Sequence, residues 1–284
     1  MTARSPLYFA WRRFADNKAA VVSGLVLLII MLMAIFAPLI TKTGFADQDF
    51  LTQAYAFPST EFWFGVDDLG RDFFTRIVYG ARVSLTIGFA AAAFSVLIGI
   101  PLGAIAGFYG GWADWAVMRL IELFSVVPPL LAAMLLGALT NGGFLTIVLI
   151  AALFGWVQVC LLVRAQVKAF RDKEFVRAAA ALGATPGYII RRHLIPNSIS
   201  PIIVGFVLAI PLAMMLEASL SFLGIGVPPP TPSWGQMINV GMNFMYFYWH
   251  LAVFPTAALA VTVLATTLFG DGLRDALDPT LKGR

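Results

Sequence analysis

The sequence predicts an all-α membrane protein with six membrane-spanning helices, on three observations. Of its 284 residues, 60% are hydrophobic and only 12% are charged, whereas a soluble domain carries about a quarter charged residues. Mean hydropathy is +0.86, and several apolar runs reach the roughly twenty residues a helix needs to cross a bilayer. The remaining charge gathers at alternate ends of those runs. The net charge of +4 therefore reads as topology in a lipid bilayer, not as nucleic-acid binding. The one cysteine, Cys160, lies deep in an apolar run, so neither an intrachain disulfide nor a cysteine-based metal site is expected.

Residues 1–18 hold Arg4, Arg12, Arg13 and Lys18 against Asp16, interleaved with Tyr8, Phe9, Trp11 and Phe14. They read as a short amphipathic helix at the membrane interface, or else as an unstructured tail. The apolar run that follows is too long for a signal peptide and reads as an uncleaved first span, Ala19 to Ile40, with Pro38 near its end. Residues 41–82 are expected to form the longest loop, with six acids and four bases. Span 2, Val83 to Phe108, contains Gly99-x-x-x-Gly103, which permits close helix approach, and Pro101, which is expected to kink it. A turn at Tyr109-Gly110-Gly111-Trp112 follows, with Asp114 the expected N-cap of span 3.

Span 3, Trp115 to Leu139, carries Arg119 and Glu122 three residues apart, a structural ion pair or a gate. Its Pro128-Pro129 pair is expected to bend it. Asn141-Gly142-Gly143 makes a turn into span 4, Phe144 to Val163. Span 5 is Ile199 to Phe222, with Pro211 and Glu217 inside it. Residues 224–247 lack charge and hold four prolines, which suggests a stiff, extended loop. Span 6 is Tyr248 to Phe269, and 270–284 is a polar tail. Bases number four in 1–18, seven in 164–192 and three in 270–284, so both termini and the 164–198 loop are expected in the cytoplasm. The 41–82 and 224–247 loops then lie outside.

That inner loop contains Arg171-Asp-Lys-Glu-Phe-Val-Arg-Ala-Ala-Ala-Ala-Leu-Gly183. The alanine run favours helix. Gly183 suits a left-handed C-cap, and Thr185 and Pro186 suit the N-cap and first position of a second helix, closed by Pro196. Val176, Ala179, Ala180 and Gly183 fall on one face, smooth enough for another surface to approach. No chemistry-bearing constellation appears elsewhere. There is no P-loop, no zinc-protease motif and no nucleophile elbow, and His193 and His250 fall on opposite expected sides. No catalytic residue, metal site or cofactor is expected, so energy for uphill transport has to come from a partner or an ion gradient.

Arg177-Ala178-Ala179, Gly183 and His193 to Pro196 give R-A-A-x-x-x-G, nine residues, then H-L-I-P. This resembles the EAA loop of permease subunits of binding-protein-dependent ABC importers: Glu-Ala-Ala, three residues, Gly, nine residues, Ile-x-Leu-Pro. Arg177, His193 and Ile195 stand where that pattern has Glu, Ile and Leu. Phe64-Gly65-x-Asp67-Asp68-x-Gly70-Arg71-Asp72, Glu217-Ala218-x-Leu220-Ser221-Phe222-Leu223-Gly224, Ser233-Trp234-Gly235 and Asp271-Gly272-Leu273-Arg274-Asp275-x-x-Asp278-Pro279 are similar to the second, C-type permease of dipeptide, oligopeptide and nickel systems.

The resemblance implies a type I importer permease fold in the inner membrane. It implies a helix pair between spans 4 and 5 that docks on a cytoplasmic ATPase, a second permease, two ATP-binding subunits and a solute-binding protein. The coupling residues would be Arg177, Ala178, Ala179, Gly183, Ala184, Pro186, Tyr188, Arg191, Arg192, His193 and Pro196. Glu217, Met214 and Glu122 are the candidates to line a path or orient helices. Di- or oligopeptides lead as cargo, with metal chelates, glutathione or another small solute as alternatives. A gradient-driven carrier is the competing class; its mark would be ionisable residues near the bilayer midplane, and Glu122 and Glu217 both fall towards span ends.

Overall fold

The computed structural model describes residues 6–48, 54–140 and 142–277. Arg4, Asp49, Asn141, Asp278, Pro279, Lys282 and Arg284 lie outside the described residues. The helices are α1 (Pro6–Asp16), α2 (Lys18–Ile35), α3 (Ala37–Ile40), α4 (Phe73–Tyr109), α5 (Gly111–Val126), α6 (Pro129–Leu139), α7 (Phe144–Arg171), α8 (Glu174–Ala181), α9 (Pro186–Ile189), α10 (Ile195–Asn197), α11 (Ile199–Phe222), α12 (Trp234–Phe244) and α13 (His250–Leu277), with a π-helical turn at Ile190–Leu194 between α9 and α10. Among the described residues the only β feature is an isolated bridge between Val66 and Asp72. The helices α2, α4, α7, α11 and α13 are long and apolar enough to span a bilayer, and α5 with α6, bent by 80° at their junction, brings the number to six if the pair is counted as one span. The bend follows from Pro128-Pro129: a residue before proline is forced towards extended backbone, and Val127 and Pro128 both adopt it.

The central helix is α4, and its most extensive neighbour is α7. A bilayer supplies little hydrophobic drive between helices, so close packing must hold them. Gly99, Gly103 and Gly107 line the contact. A Cβ at these positions would come within 2.8 Å of the Val159 Cβ, 2.9 Å of the Val163 Cβ and 2.9 Å of the Val167 Cβ. The Gly-x-x-x-Gly pair thus serves contact within the chain, extended by one turn, and α4 runs on through Pro101. On α2, Ala20 and Gly24 face α13, where Gly272 and Phe269 meet them, while Val22, Leu25, Leu28 and Ile35 stay exposed. Residues 6–16 form a helix, and Phe14 packs edge-on against Phe269 of α13 with ring centres 5.5 Å apart.

Several expectations change. Helix α4 starts at Phe73, not Val83, because Asp72 caps it, accepting from the Thr75 amide at 3.1 Å and the Thr75 hydroxyl at 2.6 Å. Asp114 is not an N-cap. Gly110, at φ +64°, precedes α5, and the Asp114 carboxylate receives Arg164 of α7 through both Nε and Nη2. The 224–247 loop is not extended throughout, since it contains α12. Ser233 caps α12 by accepting from the Gln236 amide at 3.3 Å, and Trp234, Gly235, Met237 and Gly241 are buried.

At the α12 end of the molecule, Asp67 organises the segment before α4. Its Oδ1 accepts from the amides of Leu69 and Arg71, and its Oδ2 faces Arg71 Nε at 2.7 Å and Arg76 Nε at 3.3 Å. All three side chains are buried. Arg76 also donates to the carbonyls of Phe45 and Pro230 at 3.1 and 3.4 Å, which joins both loops. His250 lies beneath this segment with its ring fully buried, 5.3 Å from the Phe57 ring centre and 6.1 Å from that of Trp249.

Candidate functional site

The loop between α7 and α11 folds into two short helices across the opposite end of the bundle. The α8 helix starts after Lys173, whose carbonyl accepts from the amides of Val176 and Arg177 at 3.0 and 3.2 Å. It ends in a Schellman motif: Ala184 donates to the Ala179 carbonyl at 3.1 Å and Gly183 to that of Ala180 at 3.0 Å. This closure puts Gly183 at φ +84°, a conformation that glycine adopts without steric cost. Thr185 then accepts from the Tyr188 amide at 3.4 Å, with Pro186 in the first turn. Both caps fall where the sequence places them.

The second helix departs from expectation. It does not stop before Pro196 but passes through it to Asn197. Proline has no amide hydrogen for a carbonyl four residues back, and its ring crowds that carbonyl. The chain widens instead: Ile190–Leu194 form a π turn, with the Ile195 amide bonded to the Ile190 carbonyl. Inserted turns of this kind are a common route past such a defect.

Val176, Ile189 and Leu194 anchor the pair, buried with Val163 and Val167 of α7, Ala104 of α4 and Ile202 of α11. Ala179 and Ala184 pack partly against the same cluster. The expected approach face therefore splits. Val176 and Ala179 point into the chain's own core, while Ala180 and Gly183 are exposed. The free side carries Phe175, Arg177, Ala178, Ala181, Leu182, Pro186, Tyr188, Arg191, Arg192 and Pro196. His193 is half-buried, its ring centre 5.8 Å from that of Tyr188 and 6.4 Å from that of Phe175, so it links the second helix to the first.

Leu182 is 89% exposed and Tyr188 53% exposed, and with Phe175 they set apolar side chains among the charges of this segment. The sequence reading omitted Leu182 and Phe175. Leu182 lies six positions after Val176, about 120° away around a helix of 3.6 residues per turn, and that spacing is legible in the sequence. Beside them, Thr185, Gly187, Tyr188, Arg191 and Arg192 line an open hollow of about 590 Å³. A Cβ added at Gly183 or Gly187 would meet nothing within 4 Å.

The other candidates do not converge on one place. Glu122 pairs with Arg119 at 2.6 Å, both roughly half exposed. Met214 is fully buried with Ile210 and Leu85 in the core shared by α4, α11 and α13, its Cγ 2.8 Å from where a Cβ on Gly88 would sit. Glu217 is fully buried at a joint of α4, α11 and α12. Ser221 donates to its Oε1 at 2.7 Å and Ser84 to its Oε2 at 3.2 Å. The Trp234 amide donates to Ser84 Oγ at 3.3 Å, and Ser233 Oγ lies 3.5 Å from Ser221 Oγ. The entry of α12 is wedged beside the Glu217 carboxylate, since a Cβ on Gly235 would lie 2.6 Å from the Ala218 Cα.

The family described as binding-protein-dependent transport system inner membrane component matches residues 99–283. The N-terminal TM domain of oligopeptide transport permease C matches residues 5–58. The oligopeptide transport system permease protein OppC of Bacillus subtilis (strain 168) is 41% identical over 274 residues, 96% of this chain and 89% of that protein. The glutathione transport system permease protein GsiD of Pectobacterium atrosepticum is 38% identical over 284 residues, 99% of this chain and 93% of that protein. A solved structure of the MetNI methionine ABC transporter, in inward-facing conformations, covers 72% of this chain and 97% of its own at 17% identity and a TM-score of 0.59, a likeness of fold. From the helical core and its inter-helix loop to the sequence matches over nearly its full length, the chain belongs to the binding-protein-dependent transport system inner membrane component family.

Proposed function

We propose that the chain is one permease of an ATP-driven importer of di- or oligopeptides, sited in the inner membrane with both termini in the cytoplasm. In this reading it pairs with a second, different permease and with two cytoplasmic ATP-binding subunits, and a solute-binding protein delivers the cargo. The observation that carries it is the α8–α10 surface: two capped helices anchored on the core by Val176, Ile189 and Leu194, with Leu182, Tyr188 and three arginines left bare. A helix pair held by its apolar side can transmit a push to α7 and α11, to which it is joined at both ends. The charge asymmetry between the 164–192 segment and the 41–82 loop supports the orientation. Peptide cargo is supported by the names of relatives such as OppC, and the GsiD relative keeps glutathione, itself a tripeptide, within the same class. Glu217, with Ser84 and Ser221, orients α12 at the outer end, and Met214 acts in packing.

The test is uptake of a radiolabelled dipeptide by proteoliposomes holding the complete transporter. Uptake is expected to require both ATP inside and the binding protein outside. Uptake that ignores ATP and collapses with an ionophore would establish the gradient-driven alternative.

A further inference from the structure

We propose that the α8–α10 surface is a basic plug whose docking groove on the ATP-binding subunit is lined by carboxylates. This rests on the coupling reading above and adds the chemistry of the partner. Residues 173–197 hold four bases, Lys173, Arg177, Arg191 and Arg192, against one acid, Glu174. Arg177, Arg191 and Arg192 are all exposed. Among the described residues, no hydrogen bond or ion pair engages any of the three guanidinium groups; the ion pairs at this end join Arg164 to Asp114, Arg119 to Glu122 and Arg171 to Asp172.

The cations are not spread at random. Arg191 and Arg192 line the open hollow with Tyr188, Thr185 and Gly187, on the exposed side that also carries Leu182. An apolar centre rimmed by planar, fork-shaped donors is the composition of a protein docking surface, and guanidinium groups match carboxylates in two-point geometry. Docking that hides these arginines leaves uncompensated charge unless the opposing wall is acidic.

The experiment uses the complete transporter, purified through a tag on the second permease, and scores co-purification of the ATP-binding subunits and ATP-driven uptake. R177E and the R191E/R192E pair are expected to lower both at least tenfold. R177K is expected to keep most of each, and an acid-to-arginine change in the facing groove is expected to restore R177E. Rising salt should weaken the wild-type association. Full retention and uptake in both charge-reversed forms would overturn the proposal. If A178C still crosslinks to the ATP-binding subunit in those forms, the docking reading survives while the charge inference falls. If it never crosslinks in any form, the docking reading itself fails. A loss that appears only in anionic-lipid vesicles, with retention unchanged, would assign the arginines to lipid and likewise overturn the proposal.

Discussion

Gly183→Leu is expected to abolish uptake while leaving the chain folded and inserted, and Gly183→Ala is expected to retain most of it. The two substitutions share one cost and differ in another. Both force a side chain into the left-handed region at φ +84°, which costs roughly 1–2 kcal/mol. The Cβ common to both meets no atom of this chain within 4 Å. Thermal stability of the two variants should therefore be similar. A large difference in uptake between them would report bulk acting on a surface outside the chain. Normal uptake by Gly183→Leu would mean that nothing approaches this turn closely.

Glu217→Leu is expected to be the more damaging change to stability. Ser84 and Ser221 lose their acceptor inside the core. A side-chain hydrogen bond between bilayer helices is worth about 0.6–1.7 kcal/mol, and an orphaned buried donor costs about 1–3 kcal/mol. Together these give a loss of about 2–4 kcal/mol, read by thermal unfolding of the detergent-solubilised protein. Glu217→Gln keeps one acceptor oxygen and nearly the same volume, and is expected to cost about 1 kcal/mol. Protease sensitivity near α12 should rise with leucine and hardly with glutamine. Unchanged stability and uptake with leucine would show that the joint does not hold α12; unchanged values with glutamine alone would show that the charge is not required.

Local punctuation was legible in the sequence. Gly183, Thr185 and Pro186 each have a backbone requirement that a few neighbours settle, so the turn between α8 and α9 could be placed without tertiary context. The bend at Pro128-Pro129 was legible for the same reason. The rotation of α8 was not. Ala178 to Ala181 look alike from every side, and only Val176 and Leu182 distinguish the inner from the outer face. The α12 helix was hidden by the prolines before it, although Ser233 followed three residues later by Gln236 is a helix-start pattern. The π turn is not legible in the sequence, where Pro196 reads as a stop, because a helix end held by α11 and by Leu194 in the core can widen and continue. The Glu217 joint needed the fold itself, since Ser84 is 133 positions away in the chain.

The exposed side of α8–α10 is expected to be gripped by an ATP-binding subunit in the cytoplasm. The most direct measurement is site-specific crosslinking in the complete transporter, with Cys160 replaced and single cysteines introduced from Ala178 to Gly187. Crosslinks to the ATP-binding subunit are expected at the exposed positions, Ala178, Leu182 and Gly183, and weakly or not at all at Ala179 and Ala184, which face the core. Crosslinks only to the solute-binding protein would place this loop on the other side of the membrane and contradict the account.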